Sequence, residues 1–259
     1  MSNHDSLGDR MKGYEIAART SLPRRMPVIM RVDGKAFHTY TRGLARPFDA
    51  ALTNAMDLVA IALCSEIQGA QLAYIQSDEI SILIHGYKRF ASASWFDNEV
   101  QKMTSVAGSI AGATMTAASP SIFAGTVKPA YFDARVAIYP EAEVCNYFVW
   151  RQQDAVRNSI QMSAQALYSQ RQLHGKPCSE LQDMIHTKGQ NWNDLPTRQK
   201  RGRCVTREVY EEKGATRSRW IVDNEIPTFT ADREYIDRFL ALEPEEPKPV
   251  PRFVGGTVK

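Results

Sequence analysis

Several kinds of protein are excluded by what this chain lacks. Its four cysteines, Cys64, Cys145, Cys178 and Cys204, lie far apart, and no two have CxxC spacing. That argues against a zinc site or a disulfide framework and predicts free thiols in a reducing cytoplasm. No apolar run reaches the ~18 residues of a membrane-spanning helix, so no membrane association is expected. Met1–Arg10 is polar and charged and predicts no secretion signal. There is no GxxxxGK[ST] run, no HExxH and no GxSxG, which removes P-loop NTPases, zincins and nucleophile-elbow hydrolases. The net charge of +3 is too small to announce a nucleic-acid partner, and no internal repeat is visible.

What is present describes a folded enzyme-sized chain. The 259 residues are 43% hydrophobic and 24% charged, enough for a core of ordinary size. Charge is uneven. Between Arg151 and Arg219 there are thirteen Lys and Arg against seven Asp and Glu, and from Trp220 onward five against eight. Helical spacing is expected near Leu7–Thr20, from an Asp49 cap to Gly69, over Phe96–Ala118, over Glu141–Tyr168, over Ser179–Lys188 and over Thr230–Leu240. The small residues of Phe96–Ala118 suggest close packing on a sheet. Strands are expected at Val28–Val32, in a Leu72–Ile84 hairpin, at Tyr131–Tyr139, and at Arg203–Tyr210 and Arg217–Val222 around a charged turn. This interleaving predicts an α+β fold, a sheet layer covered by helices. A shift in composition places a boundary near residue 140, and Glu243–Pro251 (EPEEPKPVP) reads as an extended Pro-rich tail.

Two stretches organise the rest. Val28–Val32 ends in Asp33-Gly34, and Leu72–Gln76 runs into Ser77-Asp78-Glu79 before Ile80–Ile84 resumes. Acids at strand ends can converge, and two carboxylates with a backbone carbonyl at Gly34 suit Mg²⁺, which shares its remaining positions with water and phosphate oxygens. Arg31, Lys35 and Arg46 lie nearby. Each acid also has a plain reading, Asp33-Gly34 as a turn dipeptide and Asp78-Glu79 as a solvated hairpin tip. The functional reading rests on their combination and gives a Mg²⁺-dependent nucleotidyl transferase with Asp33 and Asp78 as metal ligands. The Arg198–Arg207 cluster (RQKRGRCVTR) is a candidate for RNA phosphates or a solvated basic hairpin. Trp192 could stack on a base but is expected to be partly buried, Phe148 and Trp150 are expected in the core, and His174 and His186 on the surface.

RVDGKAFH at Arg31–His38, SDE at Ser77–Glu79, FDARV at Phe132–Val136 and WRQQDAVRN at Trp150–Asn158 together resemble the tRNA(His) guanylyltransferase superfamily, the 3′-to-5′ polymerases. The resemblance runs from about Asp9 to about Val222. It implies a polymerase-like palm with a mainly antiparallel sheet flanked by helices. Residues 1–140 would form the catalytic palm, 141–242 a helical and hairpin region completing the site and contacting tRNA, and 243–259 the tail. By carry-over, Asp33, Gly34 and Asp78 would bind two Mg²⁺, with Glu79 completing the catalytic acids. Nucleotide would meet Asp33, Gly34, Lys35, Ala36, Phe37, His38, Arg46, Ser77 and Asp78. Arg135, Asn158 and Lys188 would touch nucleotide or tRNA, and Arg198, Lys200, Arg201 and Arg203 are the basic candidates beside them. ATP and GTP would be substrates, and the assembly a cytoplasmic homotetramer.

Two departures narrow the expectation. Where eukaryotic members carry a His-Ile-Asn-Asn motif, this chain has Val156-Arg157-Asn158-Ser159. That is the pattern of the bacterial and archaeal Thg1-like branch, and it favours templated repair of truncated tRNA 5′ ends over adding one G to tRNA(His). Arg46 also stands where the family has a lysine, which keeps the charge but changes its geometry. The implied reaction activates a 5′-monophosphate with ATP, after which the 3′-hydroxyl of an NTP displaces AMP. A nucleotide cyclase shares the acid pair but not FDARV or WRQ…N. A non-catalytic tRNA-binding protein would have no reason to keep all three acids.

Overall fold

Val28, Met30 and Val32 pack into one buried apolar cluster and Ile29 into another. A strand whose two faces are both apolar belongs inside a layered fold. The structure, a computed structural model describing residues 6–87 and 92–241, has this arrangement. An exposed helix α1 (Leu7–Ala17) precedes β1 (Val28–Gly34) and the one-turn α2 (Phe37–Tyr40). Then come α3 (Ala50–Glu66), the hairpin β2 (Ala70–Gln76) and β3 (Glu79–Ile84), α4 (Val100–Ile122) and β4 (Phe132–Ile138). The long α5 (Glu141–Gln165), short α6 (Gln170–Leu173), α7 (Cys178–Thr187) and α8 (Thr197–Arg201) lead to β5 (Arg203–Glu212), β6 (Ala215–Asp223) and α9 (Glu234–Asp237).

The strands form a single sheet in the order β4-β1-β3-β2-β5-β6, and every neighbouring pair is antiparallel. Residues after 140 thus extend the sheet begun before it. One face is covered by α3 and α4, with Met56, Val59, Leu63, Met103, Ala107 and Ala111 fully buried or nearly so. The small residues of α4 permit that contact. A Cβ at Gly108 or Gly112 would lie 3.0 Å from the carbonyl oxygen of Phe132 or Ala130. The other face meets α5 through Val144, Tyr147 and Phe148, and the chain after β6 through Ile226, Phe229 and Ile236. A third cluster joins Ile160 and Ala164 of α5 to Leu181 and Ile185 of α7. α5 leaves β4 uncovered, and Asp133, Arg135 and Ala137 are exposed.

The expected elements appear, with shifted ends. The Asp49 cap is real, its carboxylate accepting from Leu52 N at 2.9 Å. α4 starts four residues late because Phe96, Asp97 and Asn98 have positive φ, which an α-helix cannot include. The Thr230–Leu240 helix shrinks to the single turn of α9, and α8 forms at Thr197–Arg201, where no helix is expected. The core expectation splits. Phe148 is fully buried, but Trp150 is 51% exposed, because two residues along α5 turn it about 200° round the helix from Phe148. The Pro-rich tail lies outside the described residues. Among the described residues, no helix is long and apolar enough to cross a membrane.

Phe148 lies edge-on to Tyr74 and Tyr147, with ring centroids 6.5 and 5.4 Å away. Phe148→Ala is expected to cost about 3–5 kcal/mol in urea unfolding. Val209→Ala, on an exposed strand face, should stay within about 0.5 kcal/mol. Equal midpoints for the two variants would contradict this packing.

Candidate active site

The site begins at the exit of β1. Gly34 is obligatory there, since a Cβ would sit 2.3 Å from the Phe37 ring. Its N–H donates to the Asp78 carbonyl at 3.1 Å, locking the exit of β1 to the β2–β3 turn. Ala36 (φ 54°) and Ser77 (φ 48°) both occupy the left-handed region, which is costly for non-glycine residues and concentrates at functional sites. Sheet register then aligns the acids. Asp33 pairs with Glu79 across β1–β3 and with Asp133 across β1–β4, and Asp78 stands at the turn. Like charges directly opposite are destabilising, by about 0.2–1 kcal/mol per pair. The Asp33 carboxyl is accordingly pushed up to about 6, first by burial and then by Asp78, Glu79 and Asp133, with Arg31 opposing. Burial also raises Asp78, against hydrogen bonds from the Ser77 hydroxyl and its own backbone N–H.

Glu79 is held apart from this crowding. Arg151 of α5 grips it in a bidentate pair, Nε to Oε1 at 2.7 Å and Nη2 to Oε2 at 2.9 Å, and Gln76 Nε2 donates to Oε1 at 2.9 Å. Arg151 also reaches Asp154 at 2.8 Å, and Asn158 donates to that carboxylate at 3.3 Å. This chain of contacts runs from the sheet to the wall of a cavity of about 600 Å³. Gly34–His38, the 41–49 loop and the start of α3 form one side. Gln76–Asp78, α5 from Ala155 to Gln165, and Arg198–Arg203 form the other. Gln76 Oε1 is buried there with no partner among the described residues, an acceptor available to a ligand donor.

The cavity gathers Gly34, Ala36, Phe37, His38, Arg46, Ser77, Asp78, Asn158, Arg198 and Arg203 from the residues expected at the site. Asp33 and Glu79 lie just behind it on the sheet. Lys35 is exposed near the Tyr131 ring (6.0 Å), and Arg135 lies beside Asp133 at 3.4 Å on the open face of β4. Neither of these two lines the cavity, and nor do Lys188, Lys200 and Arg201. Lys188 stands over Tyr168, Lys200 donates to the Asn193 carbonyl at 2.6 Å, and Arg201 donates to the Ile226 carbonyl at 3.1 Å. The Arg198–Arg207 cluster therefore divides. Arg203 is buried against Asp57 of α3 and the Thr53 carbonyl, and Arg198 meets Asp57 at 3.1 Å. Trp192 is half-buried, its indole N–H donating to Ser159 at 2.9 Å, and His174 and His186 are exposed.

Sequence reading passed over Arg151, Asp57 and Asp133. The signal for Arg151 and Asp133 was their place inside WRQQD and FDARV; Asp57 looked like one polar position of an amphipathic helix. A larger groove, about 990 Å³, lies between α4 and β4, but it offers one carboxylate and no cation. Its chemistry does not suit a nucleotide.

Among the described residues, no group of three or more His, Cys, Asp or Glu side chains could enclose a metal. Asp33, Asp78 and the Gly34 carbonyl are hard oxygen donors, and crowding on Asp33 is what a cation would relieve. That donor set fits Mg²⁺, which takes one or two carboxylates and substrate phosphates in preference to a full protein cage.

Comparison with known proteins points to one family. The family model for tRNAHis guanylyltransferase (Thg1) matches residues 8–140. A solved structure of a bacterial tRNA(His) guanylyltransferase (Thg1)-like protein in complex with ATP matches with a TM-score of 0.86 and 48% identity, covering 92% of this chain and 100% of that one. A structure of such a bacterial protein in complex with GTP gives 0.81 and 47% over the same shares. The probable tRNA(His) guanylyltransferase of Drosophila melanogaster is 27% identical over 195 residues, 70% of this chain and 67% of its own.

The Asp33 shift has a stability consequence. Its folded pKa lies above the usual carboxylate value, so the folded state holds the proton longer. Stability from this group is present below about pH 4 and is lost as pH rises through about 6. Asp33→Asn should therefore raise the melting temperature of the metal-free protein above wild type at neutral pH. The gain should vanish in a thermal scan near pH 4. A difference that does not change with pH would show that burial and the neighbouring acids do not raise the Asp33 carboxyl.

Proposed function

This chain belongs to the tRNAHis guanylyltransferase family, and we propose on that basis that it is a Mg²⁺-dependent nucleotidyltransferase adding nucleotides to tRNA 5′ ends in the 3′-to-5′ direction. The observation that carries the reading is the Asp33–Asp78 pair at the edge of a cavity whose walls hold Arg46, Arg198 and Arg203. Carboxylates at one end and guanidiniums around the rest are complementary to a metal-bound triphosphate.

In the first step the tRNA 5′-monophosphate attacks the α-phosphorus of ATP. A P–O bond forms, pyrophosphate leaves, and the end is adenylylated. In the second, the 3′-hydroxyl of an incoming NTP attacks the tRNA 5′-phosphorus. AMP leaves, the hydroxyl proton is released, and the chain is one nucleotide longer. A 5′-triphosphate end enters at the second step and loses pyrophosphate. Asp33, Asp78 and the Gly34 carbonyl would hold Mg²⁺, which would supply charge neutralisation and a more acidic hydroxyl. Arg46, Arg198 and Arg203 neutralise the triphosphate, and Lys35 and Arg135 the tRNA phosphate. Arg151 keeps Glu79 paired, so that the acid supports β3 without drawing the cation away from Asp33. Templated 5′-end repair is the favoured task. Val156, in place of the family histidine, packs with the Ile160 cluster away from the cavity. The family reading also carries a cytoplasmic homotetramer.

Radiolabelled GTP, Mg²⁺ and a tRNA missing its first nucleotide should give label at the 5′ end. The choice of nucleotide should follow the opposing acceptor base across a panel of such tRNAs. Asp78→Ala should reduce incorporation by on the order of 100-fold or more. Near-wild-type addition by that variant would remove Asp78 from the metal site, and addition of G regardless of the opposing base would remove templating.

A further inference from the structure

The reaction brings two substrates to one phosphorus, and the cavity has room for the nucleotide. The RNA end needs a second approach to Asp33. The sheet offers one on the uncovered side of β4 and β1. Asp133, Arg135 and Ala137 are exposed there, and register places Arg31 beside Arg135 and Asp33 beside Asp133. The result is a shelf whose floor carries two guanidiniums and ends at the catalytic acid.

α5 forms the wall of this shelf. Tyr147, Trp150, Arg151 and Asp154 recur at three- and four-residue spacing on one side of the helix. Tyr147 and Arg151 are buried, and Trp150 is 51% exposed. The indole is nonetheless held. The Arg151 guanidinium lies 4.5 Å from its ring centroid, and Tyr147 meets it edge-on at 5.7 Å and 76°. Arg151 is itself fixed by Glu79, the register partner of Asp33. A tryptophan braced on one side and open on the other gives a base a rigid stacking surface at small entropic cost. Cations on the adjoining floor suit the phosphate that accompanies the base.

We propose that this shelf seats the RNA 5′ end, with its terminal base stacked on Trp150 and its 5′-phosphate between Arg31 and Arg135. The inference rests on the proposed function and assigns the second substrate its place. Binding of a 3′-fluorescein tRNA lacking its first nucleotide, read by anisotropy, should weaken about tenfold in Trp150→Ala. Trp150→Phe should recover most of that loss, and the KM for GTP should stay within about twofold in both variants, since the cavity is separate. Unchanged tRNA binding in Trp150→Ala would overturn the proposal. So would a matching rise in the KM for GTP. A lowered mass by light scattering that accounts for the weakened binding would instead make Trp150 a contact between copies of this chain. Anisotropy is independent of nucleotide addition. A wild type that binds the RNA without extending it would refute the proposed reaction and leave this comparison intact.

Discussion

The ion pair between Arg151 and Glu79 is the constraint on which the site depends. It joins a helix from the second half of the chain to a strand from the first, at the point where antiparallel register has set acids side by side. Both carboxylate oxygens of Glu79 are occupied by Arg151. One of the four crowded acids, Asp33, Asp78, Glu79 and Asp133, is thus neutralised by Arg151 within the protein. Removing either partner of a buried pair strands a charge and costs far more than the pair contributes. The position of α5, the separation of roles among the acids and the brace under Trp150 share this single contact.

A similar contact supports the far wall. Asp57 of α3 reaches Arg203 at the start of β5 and Arg198 in α8, so a buried carboxylate orients two cations that line the cavity. Gly202 makes that approach possible. At φ 80°, a Cβ there would lie 2.5 Å from the Ile75 carbonyl oxygen, and only glycine tolerates both conditions. The cavity is therefore built on two ion pairs that cross between covering layers and sheet. Its floor is strained backbone at Ala36 and Ser77.

Much of this was legible in the residues. Alternation and helical spacing located nearly every strand and long helix, and Asp33-Gly34 and Ser77-Asp78-Glu79 marked the centre before any geometry was available. Long-range pairing was not legible. Nothing in RQKRGRCVTR distinguishes Arg198 and Arg203, which turn inward to Asp57, from Lys200 and Arg201, which bond to nearby carbonyls, because the partner lies in a helix far earlier in the chain. Trp150 was misplaced for a related reason. Hydrophobic character predicts burial only where something covers the residue, and α5 stops short of the sheet edge. α2, α6 and α8 escaped detection because four or five residues carry too little periodicity.

The order in which the sheet acquires its strands has a consequence for the chain as it is made. β1 to β4 and the covering helices α3 and α4 are complete by residue 138, and they contain every acid of the centre. The opposite face, with Ile29, Leu72, Tyr74 and Leu83, stays wet until α5 follows. A partly synthesised chain therefore has the carboxylates but neither the arginine that grips Glu79 nor the far walls of the cavity. The carboxylates and the cations that complement them therefore come together only after α5, α8 and β5 have followed.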